Sequence, residues 1–377
     1  MRTIVLLGAS GSIGSQTIEL LEGDPSFFRL LGVSVGTRVQ CISSIIERFP
    51  FCKYICVKNE ADMTSFKEKY PEINWYFGDK GLLDLIKDSA AEMVVNALLG
   101  FAGLEPSVYA LENDKILCLA NKESLVCGGA LIKKALKEHN GKLWPIDSEH
   151  VAIAKCLHEN DKKIDKVILT ASGGPFYFKD VDFDKVTKED ALKHPSWKMG
   201  EKITIDSSTL MNKGFEVIEA CELFGFKPKQ IEVVVHPQSY VHSGLLLKDG
   251  SYLLQVGKPD MKGPIEYALR EGNVSCDDVI SVDSLDELPY DFVKFDSKKF
   301  PAVNLCKKAK KMGGAALTIL NAADEEAVHL FLENKMKYSD IVYSCQLALK
   351  SISNIIDPSL DDLKKVDSLT RQWIRNR

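Results

Sequence analysis

The chain opens on a short apolar run, Thr3-Ile4-Val5-Leu6-Leu7, that passes through Gly8-Ala9-Ser10-Gly11-Ser12-Ile13-Gly14 into a helical pattern from Ile13 to Leu21. Strand, glycine turn and helix in that order leave few folds open. Glycines there let the backbone approach a pyrophosphate, and the helix N-terminus adds amide donors and a favourable dipole. The spacing is G-x-x-G-x-x-G, so the strand–turn–helix context carries more weight than the pattern itself. It predicts a dinucleotide site.

Strand-like stretches recur at Leu30 to Val35, Tyr54 to Val57, Met93 to Val95 and Ile116 to Leu119, with helical patterns between them, including Glu60 to Tyr70 and Leu82 to Lys87. Such alternation implies right-handed crossovers and a parallel sheet. The second strand ends Val35-Gly36-Thr37-Arg38, with no acid to hold the ribose hydroxyls of NAD. Thr37 and Arg38 suit the 2′-phosphate of NADP; the alternative is an arginine that simply faces water at a helix start.

After residue 150 the character changes. Lys166 to Thr170 reads as a buried strand ending in Ser172-Gly173-Gly174-Pro175, and a helix is predicted over Ser208 to Phe224. Ile231 to Val235, His242 to Leu247 and Tyr252 to Val256 are short turn-linked strands, which suit an antiparallel or mixed sheet. An acidic stretch from Cys276 to about Lys299 reads as a long connection. Beyond Phe300-Pro301 come helices at Leu305 to Met312, Ala315 to Glu333, Tyr338 to Ser351 and Leu360 to Arg377, with lysines 307, 308, 310 and 311 on a solvated face. The expected fold class is α/β. A Rossmann-type parallel domain (1–146) precedes a catalytic α/β domain with a mixed sheet (147–275), a linker (276–299) and an all-α domain (300–377).

A formal charge of −5 gives no electrostatic case for nucleic acid or a membrane surface. Ten cysteines are scattered without a C-x-x-C pair, so buried free thiols and a reducing compartment are expected. A strand beginning at Thr3 leaves no room for a leader, and no window has membrane length; cytoplasm is the expectation.

The residues with most chemical potential are Pro145-Ile146-Asp147-Ser148-Glu149-His150. At a strand end, residues i and i+2 project to one side, so Asp147 and Glu149 can share a spot. Two like charges that close need a neutralising partner, and a hard divalent cation is the simplest. The competing reading is a helix cap at Asp147 or Ser148. Asn121-Lys122-Glu123 follows a strand at the ligand-binding carboxyl edge, where Lys122 can meet substrate oxygens and cofactor, or merely start a helix. Ser172-Gly173-Gly174 is either a phosphate-binding turn or a loop breaker. In Asp206-Ser207-Ser208-Thr209-Leu210-Met211-Asn212-Lys213-Gly214-Phe215-Glu216, a serine can cap the helix while Asn212 and Glu216 share a face at i, i+4 beside Lys213. That suits a phosphate clamp plus one more carboxylate, or an ordinary amphipathic helix. His194-Pro195-Ser196-Trp197-Lys198-Met199-Gly200 is either a mobile lid or a plain loop tacked down by Trp197.

Together these blocks resemble the 1-deoxy-D-xylulose 5-phosphate reductoisomerase family, with further matches at Leu98 to Leu104, Ala171 to Phe176, Met211 to Gly214, His236-Pro237-Gln238-Ser239 and Gly257 to Met261. The resemblance covers almost the whole chain. It implies an NADPH- and metal-dependent rearrangement and reduction of 1-deoxy-D-xylulose 5-phosphate to 2-C-methyl-D-erythritol 4-phosphate, a step towards isoprenoids, by a homodimer. It implies that Asp147, Glu149 and Glu216 ligate Mg²⁺, Mn²⁺ or Co²⁺ and, with Lys122, carry catalysis. Ser172, Ser207, Asn212 and Lys213 match the phosphate clamp. Lys122, Ser148, Glu149 and Glu216 match contacts to the substrate's oxygenated end, and His194, Trp197 and Met199 match a flap at about 193–201. Cofactor contacts fall on Ala9, Ser10, Gly11, Ser12, Ile13, Gly36, Thr37, Arg38, Asn121, Glu123 and Gly200. His236 lies in an active-site block with its role open. One position departs: an Asn commonly follows the second strand where this chain has Arg38. A metal-free NADP-linked dehydrogenase of a semialdehyde or 2-oxo acid, and a nucleotide sensor without catalysis, are the competing readings.

Overall fold

The β-branched and leucine-rich runs of the first 150 residues become seven strands: β1 (Arg2–Leu7), β2 (Phe28–Ser34), β3 (Tyr54–Val57), β4 (Asn74–Phe77), β5 (Met93–Asn96), β6 (Ile116–Leu119) and β7 (Lys142–Pro145). The computed structural model describes residues 1–158, 162–194, 199–273 and 290–377. All seven strands run parallel, in the order β4-β3-β2-β1-β5-β6-β7. Strand order reverses between β1 and β5, and the crevice outside the carboxyl ends at such a point is where ligands of open α/β sheets bind.

The chain divides into two compact units that are not consecutive in sequence. The first takes Met1–Ser124, Ala130–Asp147 and a segment returning at Met261. The linear division at 146 and 275 leaves that last segment with the middle domain. Its helix, Lys262–Leu269, instead buries Ile265, Ala268 and Leu269 in the core formed by Ile4, Leu6, Val33, Ile55, Met93, Val95, Cys118 and Ile146. Full burial of each large aliphatic side chain is worth about 1.5–3 kcal/mol, enough to hold a helix to a sheet far away in sequence. Glu271 completes the attachment through ion pairs with Arg2 and Lys142.

The second unit takes Leu125–Gly129, Ser148–Asp260 and the C-terminal part of the chain. Its sheet consists of β8 (Ile164–Ala171), β9 (Ile231–Val235), β10 (Val241–Leu247), β11 (Tyr252–Val256) and β12 (Val293–Lys294), in the order β11-β10-β8-β9-β12. The pair β8/β9 is parallel and the others antiparallel, so the sheet is mixed as expected. Helices Ala302–Met312, Ala316–Leu332, Tyr338–Ser351 and Leu360–Arg375 follow. They lie in the same compact unit as this sheet, and Val303, Ala327, Val328, Phe331 and Ile341 share its core. Part of the expected connection, 276–289, lies outside the described residues; the remainder includes β12.

Two local expectations are corrected. The helix predicted from Ser208 to Phe224 is two helices, Glu201–Thr209 and Met211–Phe224, broken at Leu210, whose φ of 61° is left-handed. The hydroxyls explain the break: Ser208 Oγ donates to the Ile205 carbonyl, and Thr209 Oγ1 donates to the Asp206 carbonyl while accepting from the Met211 amide. Side-chain hydroxyls in such positions compete with the helical ladder. Neither Ser207 nor Ser208 therefore caps the second helix. The lysine face is also only partly solvated, since Lys307 Nζ donates to the Ile231 carbonyl and Lys310 pairs with buried Glu222. No helix among the described residues is long and apolar enough to cross a membrane.

Candidate active site

In the first unit the glycine turn sits where strand order reverses. Gly8 has φ of +85°, and a Cβ there would lie 2.5 Å from the Ala97 carbonyl oxygen; one on Gly14 would lie 2.3 Å from the Gly8 oxygen. Both positions therefore require glycine. The turn is pinned to β2, with the Gly8 amide donating to Ser34 Oγ at 2.9 Å and the Ala9 amide to the Ser34 carbonyl at 2.8 Å. The helix Ser12–Gly23 starts from Gly11 without a side-chain cap, and helix starts bind anions through their first amides. Ala9, Ser10, Gly11, Ser12 and Ile13 form this turn and helix start. Gly36, Thr37 and Arg38 are exposed just beyond β2.

Asn121 is read from the sequence as a cofactor contact, but its amide is committed within the unit. Nδ2 donates to the carbonyls of Leu98 and Gly100, both at 2.9 Å, and Oδ1 caps the helix Lys122–Glu138 at the Ser124 amide. Asn96, which the sequence reading passed over, holds the same loop by donating to the Gly103 carbonyl and accepting from the Leu98 amide. The two asparagines together fix the loop from Leu98 to Gly103. Next to Asn121, Lys122 is buried and its Nζ donates to Asp147 Oδ2 at 2.5 Å. Glu123 follows in the first turn of the same helix.

In the second unit Ser148 opens the helix Ser148–His158, its Oγ donating to Glu149 Oε2 at 2.6 Å. Lys213, on the helix after the Leu210 break, donates to Glu149 Oε1 at 2.8 Å and also to Glu216 Oε2. Asn212 Nδ2 donates to the other Glu216 oxygen at 2.5 Å. Lys213 and Glu216 are 4% and 1% exposed, so this is an ionic cluster withdrawn from water. Burial pushes the Lys213 pKa down, but the Glu149 and Glu216 carboxylates outweigh it and hold the value above that of an ordinary lysine. Glu149 and Glu216 each offer a carboxylate oxygen within 4.8 Å of the other. Oxygen donors of that kind, gathered round one cation, fit a hard divalent metal.

Beneath them His150 is fully buried. Its Nε2 donates to the Glu216 carbonyl at 3.0 Å, which leaves Nδ1 facing the Glu219 carboxylate at 3.3 Å. His242, missed in the sequence, also belongs to this neighbourhood: it is buried, donates from Nε2 to the Lys258 carbonyl, and feels the Glu149 charge. Burial lowers its pKa against that charge. An imidazole in the buried, leucine-rich strand β10 was the signal available.

Two of the four residues expected to clamp a phosphate, Ser172 and Ser207, meet at His194. Its Nε2 lies 3.2 Å from Ser172 Oγ and 3.0 Å from Ser207 Oγ. Burial lowers the His194 pKa to about 4, so the ring is neutral at pH 7. Gly174, at φ +63°, brings the turn so close that a Cβ there would sit 2.9 Å from the Ser207 carbonyl oxygen. Gly200 caps the helix Glu201–Thr209, its carbonyl accepting from Thr204. Pro195, Ser196, Trp197 and Lys198 lie outside the described residues, and Met199 flanks them. His236, by contrast, is structural: the Tyr240 amide donates to Nε2, so Nδ1 carries the proton and donates to the Asp291 carbonyl.

Residues 4–129 match the family described as 1-deoxy-D-xylulose 5-phosphate reductoisomerase, and residues 143–224 and 256–373 match two C-terminal domains of the same enzyme. A 1-deoxy-D-xylulose 5-phosphate reductoisomerase of Bacillus cereus (strain AH187) is 40% identical over 99% of both chains. One from Thermoanaerobacter pseudethanolicus is 41% identical over 100% of this chain and 99% of its own. The Zymomonas mobilis enzyme, solved in complex with NADPH, superposes with a TM-score of 0.90 at 34% identity over 100% of this chain and 98% of its own. A DOX-P reductoisomerase in complex with NADPH, fosmidomycin and magnesium reaches 0.93, with the same identity and coverage.

Proposed function

Because this chain belongs to the 1-deoxy-D-xylulose 5-phosphate reductoisomerase family, we propose that the residues gathered above are the working parts of that reaction. The chain converts 1-deoxy-D-xylulose 5-phosphate to 2-C-methyl-D-erythritol 4-phosphate, using NADPH and a divalent cation. The observation that carries the site reading is the buried Lys213 ammonium between Glu149 and Glu216. Asp147, Glu149 and Glu216 hold the cation. Ser172, Ser207, Asn212 and Lys213 hold the phosphate, with His194 closing over it.

The substrate is an α-hydroxyketone whose skeleton rearranges to an aldehyde, which a hydride and a proton then convert to a primary alcohol. When bound, the cation acts as a Lewis acid towards the substrate's carbonyl and hydroxyl oxygens, and NADPH contributes the hydride. The protein's own share is placement. Lys122 and Ser148 offer donors to the oxygenated end, where negative charge builds up during the rearrangement. The clamp grips the far end, so phosphate binding energy orients the reacting carbons and helps exclude water. His194, neutral at pH 7, shares its ring nitrogen with the two serine hydroxyls and keeps both aimed at one place. Cation-dependent NADPH oxidation is the activity this arrangement must show.

NADPH is held at Ala9, Ser10, Gly11, Ser12 and Ile13 for its pyrophosphate and at Gly36, Thr37 and Arg38 for the 2′-phosphate, with Asn121, Glu123 and Gly200 as further cofactor contacts. A charge-assisted hydrogen bond is worth about 1.5–3 kcal/mol. Arg38→Ala is therefore expected to raise KM for NADPH by about 10–100-fold while leaving kcat and KM for NADH nearly unchanged. An equal loss with both cofactors would place Arg38 outside the 2′-phosphate site.

The working form is a homodimer. Strand β11 supports this, since among the described strands it pairs with β10 alone, and Tyr252 on it is 62% exposed. An open edge of this kind is a template for pairing with a second chain. Light scattering at micromolar protein is expected to give twice the chain mass; a monomer at that concentration would overturn the assignment. The compartment is the cytoplasm, a reading supported by nine described cysteines that are all free thiols, eight of them buried. Recovery of the activity in a membrane or secreted fraction would contradict it.

A further inference from the structure

Leu210 divides the phosphate clamp. Ser207 lies at the end of the helix before it, while Asn212 and Lys213 open the helix after it. A single left-handed residue is a poor guarantee of the angle between two helices, so something else must set the position of Ser207 against Asn212 and Lys213. The one ammonium that reaches both helices among the described contacts is that of Lys202. It pairs with Asp206 one turn along its own helix, and with Asp324 Oδ2, 3.0 Å away on the helix Ala316–Leu332. It also stands 5.2 Å from the ring centroid of Phe215, on the helix after the break. Phe215 is fully buried between Lys213 and Glu216 in sequence.

We propose that Lys202 is a positioning residue for the phosphate clamp, locking the helices on either side of Leu210 to each other and to the helix Ala316–Leu332. Asp324 is fully buried and Asp206 nearly so. Two buried carboxylates about one ammonium are a poor way to gain stability, because desolvation offsets much of the attraction. They do fix geometry, since the ammonium satisfies its partners in only one arrangement of the three helices. Asp206 is the immediate neighbour of Ser207, so a shift of this anchor moves a clamp hydroxyl directly. The inference rests on the clamp reading above.

Steady-state kinetics with 1-deoxy-D-xylulose 5-phosphate test it in Lys202→Met, Lys202→Arg, Asp324→Asn and Ser207→Ala, alongside calorimetric binding of NADPH and Mn²⁺. Lys202→Met is expected to raise KM for the phosphosubstrate about tenfold with kcat within about twofold, the signature of lost uniform binding. Lys202→Arg is expected to recover most of the loss, and NADPH and Mn²⁺ affinities to stay at the parent values. If Lys202→Met does not fold, Asp324→Asn serves in its place, with a rise in KM of the same kind. Unchanged KM in Ser207→Ala would overturn the clamp reading and this inference with it. A raised KM in Ser207→Ala with unchanged KM in the Lys202 and Asp324 variants, their loss confined to Tm or kcat, would overturn this inference alone.

Discussion

Glu216→Gln is expected to lower kcat by about a thousandfold or more in saturating Mg²⁺, while the Kd for NADPH stays within about twofold of the parent value. The substitution keeps the side chain's size and one acceptor oxygen but removes its charge. Glu216 is 1% exposed and takes hydrogen bonds from both Asn212 and Lys213, so water cannot replace what is lost. A Lewis-acid contribution of about 4 kcal/mol at the reacting oxygens corresponds to about three orders of magnitude in rate. Glu216 belongs to the second unit and the glycine turn to the first, which is why NADPH binding is spared. Asp147→Asn is expected to follow the same pattern. Near-normal turnover of either variant would show that the three carboxylates do not hold the metal.

The second large effect concerns Lys213, and it should depend on the cation. Lys213→Met leaves the Glu149 and Glu216 carboxylates facing each other without the ammonium that now bridges them. Removing one partner of a buried pair costs about 3–5 kcal/mol, which for a unit of this size lowers Tm by on the order of 10 °C. A divalent cation bound to the same carboxylates takes over the neutralisation, so Mg²⁺ is expected to restore much of the lost Tm. Activity should not return with it, because the phosphate has also lost a charged donor; KM for the substrate is expected to rise by about 100-fold. The pair of outcomes separates two roles of one side chain. An equal fall in Tm with and without Mg²⁺ would mean that the cation and Lys213 do not share ligands.

Much of this was legible because the first unit obeys local rules. Each β-branched run between helical patterns became a strand, and β3 and β6 have the very ends the pattern gave, as do β9 and β11 in the second unit. The glycine turn was legible because its chemistry is local: Gly8 and Gly14 are required by contacts within the turn and with the next strand. What could not be read are the features fixed by distant parts of the chain. The left-handed Leu210 is unusual for a leucine, and only the run Asp206-Ser207-Ser208-Thr209 hinted that the helix would break. The return of residues after Met261 to the first sheet depends on three apolar side chains that would fit any core. Asn121 was recognised as part of a motif, but its use as a staple for the Leu98–Gly103 loop is visible only once that loop is placed. His242 and Lys202 were passed over for the same reason, since each matters only through partners far along the chain.

The central claim is that the chain acts on a phosphosugar with NADPH and a divalent cation. Its most direct test is NADPH oxidation followed by absorbance after adding 1-deoxy-D-xylulose 5-phosphate, with and without EDTA. The account predicts substrate-dependent oxidation that EDTA abolishes and excess Mg²⁺ or Mn²⁺ restores, with 2-C-methyl-D-erythritol 4-phosphate formed in equal amount to the NADPH consumed. Oxidation that persists undiminished in EDTA, or none with this substrate in any divalent cation, would contradict it.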